Sequence, residues 1–357
     1  MSLPQPAGEA GTTAVLRIGT RGSALATTQT GHAAEALVVA GGPAYELEII
    51  RTEGDVVTGS LATLGGTGVF AAALRHALTD GRVDLAVHSL KDLPTAPHPG
   101  LAIGAVPVRE DPRDALCARD GLSLDQLPEG ANIGTGSPRR AAQLLAARPD
   151  LTVVDIRGNV PTRLARVAGV DDSGPGDLDA VVLASSGLRR LGLEAYVTEY
   201  LDPAVMLPAP GQGALALEVR AELLHADPEL ASQALGAYGD VPEHVKTPDR
   251  AGQAQMDAVL LHALAAINHA ETRWAVTAER ALLARLEAGC AAPVGTLATV
   301  EDGLLVLTVA VASPDGTRVM RRTAASDELS TDAARELGRR MGDGLLADGA
   351  AHLAGLR

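Results

Sequence analysis

Short apolar runs alternate with helical stretches through the first part of the chain. Residues 15–18 are apolar and β-prone, and the turn residues that follow precede a helix predicted from Ala24. Residues 46–51 and 83–88 predict two further strands, with a helix through Leu78 between them. This βαβα order indicates a mainly parallel sheet with helices on both faces.

The same order begins again after Pro112. Ile133 and Gly134 lead into a turn rich in Gly and Ser, and Pro138 suits the first position of a helix because its φ is fixed. The pattern then predicts a strand, a short helix and another strand, at residues 151–156, 161–167 and 180–184. The middle of the chain therefore predicts a second α/β unit.

The pattern changes past Arg220. Residues 221–267 are rich in Ala with several Pro and Asp, which favours an insertion that is partly helical and partly flexible. A helix over 271–288 is predicted to end at Gly289 as a left-handed cap. Two or three strands and a closing helix follow, at residues 295–300, 304–311, 318–324 and 329–346. This last region predicts a small α+β domain.

A chain of 357 residues is long for one hydrophobic core. We expect a disordered leader at residues 1–14 and a first α/β domain at 15–110 that also includes about 212–235. A second α/β domain is expected at 111–208. An insertion at 236–267 and a third, α+β domain at 268–357 complete the chain. The predicted fold class is α/β.

Composition narrows the classes of function. Aromatic residues make up 2% of the chain and the formal charge is -14, which argues against stacking on nucleic-acid bases and against a phosphate-backbone partner. A local basic pocket stays compatible with that charge. No apolar run reaches about 18 residues, so we expect no membrane span. The leader lacks a signal-peptide pattern and the two cysteines, Cys117 and Cys290, lie far apart, which favours the cytoplasm over a disulfide-forming compartment.

Arginines concentrate in glycine-rich turns where predicted strands meet predicted helices: Arg21, Arg139, Arg140, Arg157 and Arg163. Those ends line the ligand crevice of an open α/β sheet, and helix N-termini favour anions. Arginine adds planar donors that match carboxylates, so the pattern indicates a small ligand with several carboxylates. Phosphate is the alternative, although no GxxxxGK[ST] loop is present and the glycines of 65–68 are a weak signal. Solvated surface arginines are the simpler alternative.

A second group of candidates follows the strand over 83–88. Lys91 and Asp92 are either a solvated ion pair or, in an arginine-lined cleft, a carboxylate that stabilises a cationic intermediate. His88 more often fills a sheet than catalyses, and the histidine spacing implies no metal. Cys290 lies in a Gly/Ala turn and is accessible, whereas Cys117 lies in an apolar run typical of a core.

Six motifs occur in the order found in the hydroxymethylbilane synthases, also called porphobilinogen deaminases. They are VHSLKDLP at 87–94, REDPRDA at 109–115, GTGSPRR at 134–140, RGNV at 157–160, GQGA at 211–214 and EAGC at 287–290. From about Leu16 to the C-terminal helix, apart from the insertion, the chain resembles that family. The resemblance implies two domains similar to type II periplasmic binding proteins, a third domain, and an active site in the cleft between the first two.

The resemblance also implies a chemistry. Members of the family condense four porphobilinogen molecules into linear hydroxymethylbilane on a dipyrromethane primer, in tetrapyrrole (haem) biosynthesis. The motifs place the thioether-linked cofactor on Cys290 and the catalytic carboxylate on Asp92. The cofactor-binding residues implied are Lys91, Ser89, Thr135, Ser137, Arg139, Arg140 and Asp92. The substrate-binding residues implied are Arg21, Ser23, Arg157, Arg163 and Gln212, and Phe70 belongs to a loop. We expect a monomer whose partner is porphobilinogen, without nucleic acid or membrane.

Three departures from the family pattern stand out. Thr67 replaces a lysine in the Gly-Gly-Lys-Gly-Leu-Phe loop, of which Phe70 keeps its place. Gly136 stands where serine is common, which removes one hydroxyl contact. The stretch 221–267 has no counterpart in shorter members.

Two other classes of function compete with this interpretation. A two-lobed binding protein for a small dicarboxylate would explain the arginines but not an accessible cysteine in a third domain. A phosphate-handling transferase using residues 65–68 would need a nucleotide or metal motif. An unchanged carboxylate ligand on a cofactor-free protein would favour the binding protein, and nucleotide binding would favour the transferase.

Overall fold

A computed structural model describes residues 15–51, 69–170, 173–225, 253–289 and 292–356. The predicted leader, the glycines of 65–68, Thr67 and Cys290 lie outside these residues, as does the side chain of Phe70. The described elements form two five-stranded sheets and one three-stranded sheet, each with helices. The predicted α/β class, with a small third domain, is confirmed.

The first sheet has the strand order β2-β1-β3-β10-β4. Its strands are β1 Leu16–Thr20, β2 Tyr45–Ile49, β3 Leu85–Ser89, β4 Leu101–Ala105 and β10 Leu215–Arg220. β1 pairs with β2 and β3 in parallel, whereas β10 runs antiparallel to both of its neighbours, β3 and β4. The sheet is therefore mainly parallel, as predicted, with one reversed strand.

Three helices of the first half follow from local sequence. α1 spans Ala24–Val39, α2 spans Val69–Thr79 and α6 spans Ala221–His225. α1 begins where the periodicity predicts, because the Ser23 hydroxyl accepts a hydrogen bond from the Ala26 amide at 3.3 Å and caps the helix. The turn before α1 is thereby fixed at the end of β1.

The second sheet repeats this arrangement, with the order β7-β6-β8-β5-β9. Its strands are β5 Asp114–Ala118, β6 Asn132–Gly134, β7 Thr152–Val154, β8 Ala180–Ala184 and β9 Glu199–Tyr200. Its helices are α3 Pro138–Ala147, α4 Val160–Leu164 and α5 Ser185–Arg190, with 3₁₀ turns at Arg119–Gly121 and Glu194–Tyr196. Here β5 is the reversed strand, antiparallel to β8 and β9.

The C-terminal part of the predicted insertion belongs to the first core. Residues 253–267 form helix α7, Gln253–Ile267, whose Leu260 and Leu264 are buried with Leu37 of α1 and Leu217 of β10. Burial of such aliphatic side chains supplies the main free energy that holds a helix on a sheet. This part of the insertion is thus ordered helix, while the predicted division into domains stays a prediction.

The C-terminal region pairs two long helices with an antiparallel sheet. Its elements are α8 Ala270–Arg285, β11 Val294–Glu301, β12 Leu304–Ala312, β13 Val319–Ser326, α9 Thr331–Ala347 and α10 Ala350–Ala354. Leu282, Leu307 and Leu337 share its core. The predicted end of the first helix is wrong: α8 ends three residues earlier, and the left-handed residue after it is Glu287 (φ 50°) rather than Gly289.

The chain crosses between the two large sheets twice, from β4 to β5 and from β9 to β10. Glu279 of α8, fully buried, holds both crossings. Its carboxylate accepts hydrogen bonds from Arg109 Nη1 at 2.6 Å and from the Gly211 amide at 2.6 Å. The C-terminal region is therefore bonded to both segments that join the halves. No helix of the described ranges combines the length and apolarity that crossing a bilayer requires.

Candidate functional site

The first candidate group lies on a 3₁₀ turn, Leu90–Asp92, at the end of β3. Leu90 is fully buried and anchors the turn, while Asp92 is exposed. Arg21, Ser89 and Asp92 line one small cavity, together with Gln29 and His88. The structure therefore brings three predicted site residues together.

His88, which lines this cavity, belongs to a buried ionic cluster on β3, β10 and α2. Arg75 donates to Glu218 at 2.8 Å, and His88 Nε2 lies 3.1 Å from the other carboxylate oxygen. Burial disfavours the charged form of Glu218, but His88 and Arg75 outweigh it and lower its pKa to about 2. His88 thus serves the sheet, in keeping with the sequence-based expectation.

The second group is built around Asp114, the first residue of β5. Arg139 Nη1 donates to Asp114 at 2.7 Å and to the Leu207 carbonyl at 2.6 Å. Arg140 donates to Asp114 through Nε and Nη2 at 3.0 and 2.7 Å, and to the Val182 carbonyl through Nη1. All three residues are buried. Arg140 is therefore fully engaged, whereas Nε and Nη2 of Arg139 make no hydrogen bond within the described residues and remain for a ligand.

Charge pairing in this group outweighs the cost of burial. Desolvation opposes ionisation of Asp114, but the two guanidinium groups hold the pKa of its carboxyl well below the usual range. Burial lowers the pKa of Arg139, and Arg140 beside it acts in the same direction. The cluster stays ionised and has two cations for one anion.

The turn before α3 presents this pair of arginines. The Ser137 hydroxyl caps α3 by accepting from the Arg140 amide, and Thr135 Oγ1 accepts from the Ser137 amide at 3.2 Å. A Cβ at Gly136 would lie 2.5 Å from the Ile156 carbonyl oxygen. Glycine therefore suits this position, because the backbone of Ile156 approaches it closely.

Gln212 joins the two groups. Its amide nitrogen donates to Asp114 Oδ1 at 2.8 Å and to the Pro112 carbonyl at 2.8 Å, and its amide oxygen accepts from Lys91 Nζ at 3.3 Å. Gln212 is fully buried. Lys91, on the first half, thereby connects to Arg139 and Arg140 on the second half.

The surroundings of Lys91 weaken its hold on a proton. Desolvation lowers its pKa to about 8, and Arg140 and Arg139 add to the effect, while Asp92 and Asp114 oppose it. Burial also lowers the pKa of Arg163, with further contributions from Arg140 and Arg157. These groups repel one another, so an anionic ligand with several carboxylates would relieve the excess positive charge.

Sequence comparison decides the family. Residues 16–227 match the family model described as "Porphobilinogen deaminase, dipyromethane cofactor binding domain", and residues 274–347 match the model of the C-terminal domain of porphobilinogen deaminase. The chain belongs to the porphobilinogen deaminase family. The porphobilinogen deaminase of Micrococcus luteus is 55% identical over 95% of this chain and 94% of its own length. The porphobilinogen deaminase of Leifsonia xyli subsp. xyli is 52% identical over 96% of this chain and 95% of its own length.

One solved structure that the fold resembles is the ligand-binding component of an ABC-type import system from Staphylococcus aureus. The two share 16% identity over 71% of this chain and 84% of the other, with a TM-score of 0.34. Membership of the porphobilinogen deaminase family confirms the predicted enzyme class, hydroxymethylbilane synthase, and its dipyrromethane cofactor in tetrapyrrole biosynthesis.

The remaining porphobilinogen deaminase candidates occupy the turns expected of them. Ser23 is the cap of α1, and Arg157 lies half-buried before α4. Arg163 donates to the Gly158 carbonyl at 2.8 Å. Cys290 and the side chain of Phe70 lie outside the described residues, so their predicted roles stay predictions.

Sequence reasoning missed two residues that the structure adds to the site. Asp114 organises Arg139 and Arg140, although only its motif was singled out. Arg190, at the end of α5, donates to the Gly213 carbonyl at 2.7 Å and approaches Gln29 Oε1 at 3.5 Å, the atom that also accepts from Ser89. A signal for Arg190 existed, since it follows a predicted strand in the same way as the other arginines.

Proposed function

We propose that Asp92 is the catalytic carboxylate with which this chain condenses four porphobilinogen molecules into linear hydroxymethylbilane. The observation that carries the assignment is its place: an exposed carboxylate at a small cavity, on the same turn as Lys91, which leads to the Asp114 cluster. The cluster supplies positive charge for carboxylates.

Asp92 acts on positive charge. Loss of ammonia from porphobilinogen leaves a delocalised cation, and a fixed carboxylate stabilises that charge before and after the new carbon–carbon bond forms. The apolar side chains of Ala71, Leu74 and Val87 line the same cavity and limit the access of water, which strengthens the interaction. A second carboxylate lies behind His88: Glu218, which is already neutralised by Arg75.

The cations fit the dipyrromethane cofactor that the family carries. Lys91 and Arg139 have charge that their neighbours only partly compensate, and both lie in one network with Arg140. We propose that these three residues, with Ser89, Thr135 and Ser137 at the turns, hold its carboxylates, and that Cys290 carries it. When bound, the group supplies the free pyrrole carbon to which the first unit is added.

We propose that the incoming porphobilinogen binds a second set of cations, Arg21, Arg157 and Arg163. Arg21 lines the cavity beside Asp92, and Arg157 and Arg163 lie at the turn before α4 and in that helix. Ser23 and Gln212 hold the surrounding turns: one caps α1 and the other bonds to Lys91 and Asp114. We also propose that the chain acts as a cytoplasmic monomer on porphobilinogen, without nucleic acid or membrane.

Intact-mass measurement on the protein purified from cells tests this function. We expect an excess equal to two deaminated porphobilinogen units on the parent and none on Cys290→Ser. Cys117→Ser is the matched control, because Cys117 is buried in the second core, where burial raises the pKa of its thiol to about 12. That variant should keep the excess mass.

Incubation with porphobilinogen should then add further pyrrole units to the parent, visible as a mass ladder. An unchanged mass after incubation, on a protein that carries the excess, would contradict the proposed synthase activity. A full cofactor load on Cys290→Ser would contradict only the attachment point.

A further inference from the structure

The carboxylate of Asp92 has no polar support of its own. Within the described residues its side chain takes part in no hydrogen bond and no ion pair, and it is exposed. Its position in the cavity therefore depends on the backbone of the turn Leu90–Asp92. The contacts that fix this backbone therefore also fix the position of the carboxylate.

The backbone of this turn is held by α8. Arg280 donates to the carbonyl of Leu93 at 2.8 Å and to that of Pro94 at 2.6 Å, and approaches the carbonyl of Leu90 at 3.4 Å. Val276, one turn earlier on the same helix, is buried with Leu90 and Leu93. Side-chain packing and hydrogen bonds thus act on the turn together.

Arg280 is a buried cation without a carboxylate partner. It is 7% exposed, and among the described residues no acidic side chain forms an ion pair with it. Burying a charge is costly unless hydrogen bonds compensate, and here carbonyls at the end of a short 3₁₀ turn supply them. A hydrophobic side chain would pack in the same place without this cost, so the guanidinium group has a role beyond filling space.

We propose that Arg280 is a positioning residue that fixes the turn of Asp92 by binding its carbonyl groups. This inference rests on the proposed function of Asp92. Because Glu279 next to it binds both crossing segments, α8 ties the catalytic turn and the connection between the halves to one rigid helix. Catalytic groups need placement to a fraction of an ångström, which an exposed turn without this support would not provide.

Arg273 offers a matched control on the same helix. It is also buried, and its guanidinium group approaches the carbonyls of Ile103 and Gly104 on β4, away from the catalytic turn. Arg273→Met and Arg280→Met therefore remove the same kind of contact between the same two regions. Arg285→Met removes an exposed ion pair with Asp343 and serves as the surface control.

The test measures turnover per cofactor-loaded chain, KM, thermal stability and hydrogen exchange in full-length variants. We expect Arg280→Met to lower kcat about 10- to 100-fold, with KM within about threefold of the parent, because the chemistry rather than substrate binding is misplaced. Amide exchange over residues 90–94 should speed up. Arg273→Met should lower the Tm similarly, yet keep kcat near the parent value.

Equal kcat in Arg280→Met and Arg273→Met would overturn the proposal, as would unchanged exchange over residues 90–94. If Arg280→Met does not fold, Arg280→Lys replaces it: one ammonium group cannot span the three carbonyls, so kcat should still fall, and an unchanged kcat would overturn the proposal. Asp92→Asn, measured alongside, separates the two claims. Parent-level turnover there refutes the proposed function, whereas a slow Asp92→Asn beside a fully active Arg280→Met refutes only the positioning role.

Discussion

Each large sheet carries one buried carboxylate on its reversed strand, Glu218 on β10 and Asp114 on β5, and each carboxylate binds arginine from a helix. In the first half, Arg75 and His88 surround Glu218, and His88 alone of the three lines the cavity. In the second half, Asp114 holds two arginines and connects through Gln212 to Lys91. The same arrangement therefore neutralises a carboxylate in one half and leaves an excess of positive charge in the other.

This comparison teaches that burial alone does not separate structural from functional charge. Both clusters are buried and both carboxyl pKa values are lowered. The two clusters differ in their balance of charge and in the connection of one of them to Lys91. Four predictions test this difference and the roles assigned to the two halves.

The largest effect should follow Asp114→Asn. Removing the carboxylate leaves Arg139 and Arg140 buried together, and breaking a buried pair in this way lowers the free energy of unfolding by about 3–5 kcal/mol. Glu218→Gln should cost stability to a similar extent. Only Asp114→Asn should also reduce the dipyrromethane load, measured by intact mass on the folded fraction. Equal loads in the two variants would remove the distinction between the clusters.

Asp92→Asn should have the next largest effect, on rate rather than stability. An amide cannot offset the cationic intermediate, so kcat should fall about 10²- to 10³-fold. Because the side chain is exposed and makes no hydrogen bond within the described residues, the Tm and the cofactor load should match the parent. Steady-state turnover of porphobilinogen beside a melting curve checks both, and a loss of Tm without a loss of kcat would contradict the assignment.

Each half has a glycine directly before the serine that caps a helix, Gly22 in the first half and Gly136 in the second. The two glycines differ in the space that the surrounding atoms leave for a side chain. A Cβ at Gly136 would lie 2.5 Å from the Ile156 carbonyl oxygen, whereas one at Gly22 would have only the Ile49 side chain at 3.4 Å. Gly136→Ser should therefore lower the free energy of unfolding by about 1–3 kcal/mol. Gly22→Ser should change it by about 0.5 kcal/mol or less. Denaturant unfolding of both variants measures the difference, and equal losses would contradict it.

The smallest effect concerns Lys91, which belongs to the first half but is influenced by the charges of the second. Its pKa of about 8 means that it loses its proton as the pH rises through that value. Lys91 is proposed to hold the cofactor's carboxylates, so the rate at which the cofactor-free protein takes up dipyrromethane should fall a few-fold between about pH 7 and 9, on the order of 1 kcal/mol. Lys91→Arg, which stays charged, should abolish this fall.

The contribution of Lys91 to the free energy of unfolding should instead increase as the pH rises. The folded protein holds the Lys91 proton less tightly than the unfolded chain does, so charged Lys91 costs stability without a ligand. That cost disappears as the pH rises from about 8 towards 10.5. A rate of dipyrromethane uptake that is flat between about pH 7 and 9 in the parent would contradict the role of Lys91 charge in binding.

Local signals predicted some elements to the residue. The serine cap and periodicity placed the start of α1 at Ala24, and the apolar run at 180–184 is β8. The reversed strands β5 and β10 escaped detection because they are buried on both faces and show no alternation. Their neighbours are also distant in sequence. Residues 221–267 were predicted to be partly helical, but the bounds of helix α7 were not, because its packing partners on α1 and β10 are distant in sequence.

The site residues also fall into those that local sequence predicts and those that only the fold reveals. Motifs identified Lys91, Asp92, Arg139 and Arg140, because glycine-rich turns and strand ends are local features. The partner of the arginines, Asp114, lies 25 residues before Arg139 and became visible only through the pairing of β5 with β8. Arg280 lies 190 residues after Leu90. No spacing rule connects residues that meet only after three regions have folded.

The reversed strand β10 has a consequence for how the molecule is made. All strands of the second sheet come from residues 114–200, whereas the first sheet waits for β10 at 215–220, and its core waits for α7 up to residue 267. As the chain emerges from the ribosome, the second half can therefore close while the first still exposes the edge of β3. An exposed strand edge invites wrong pairing, so the N-terminal half is the part of the nascent chain that most needs protection.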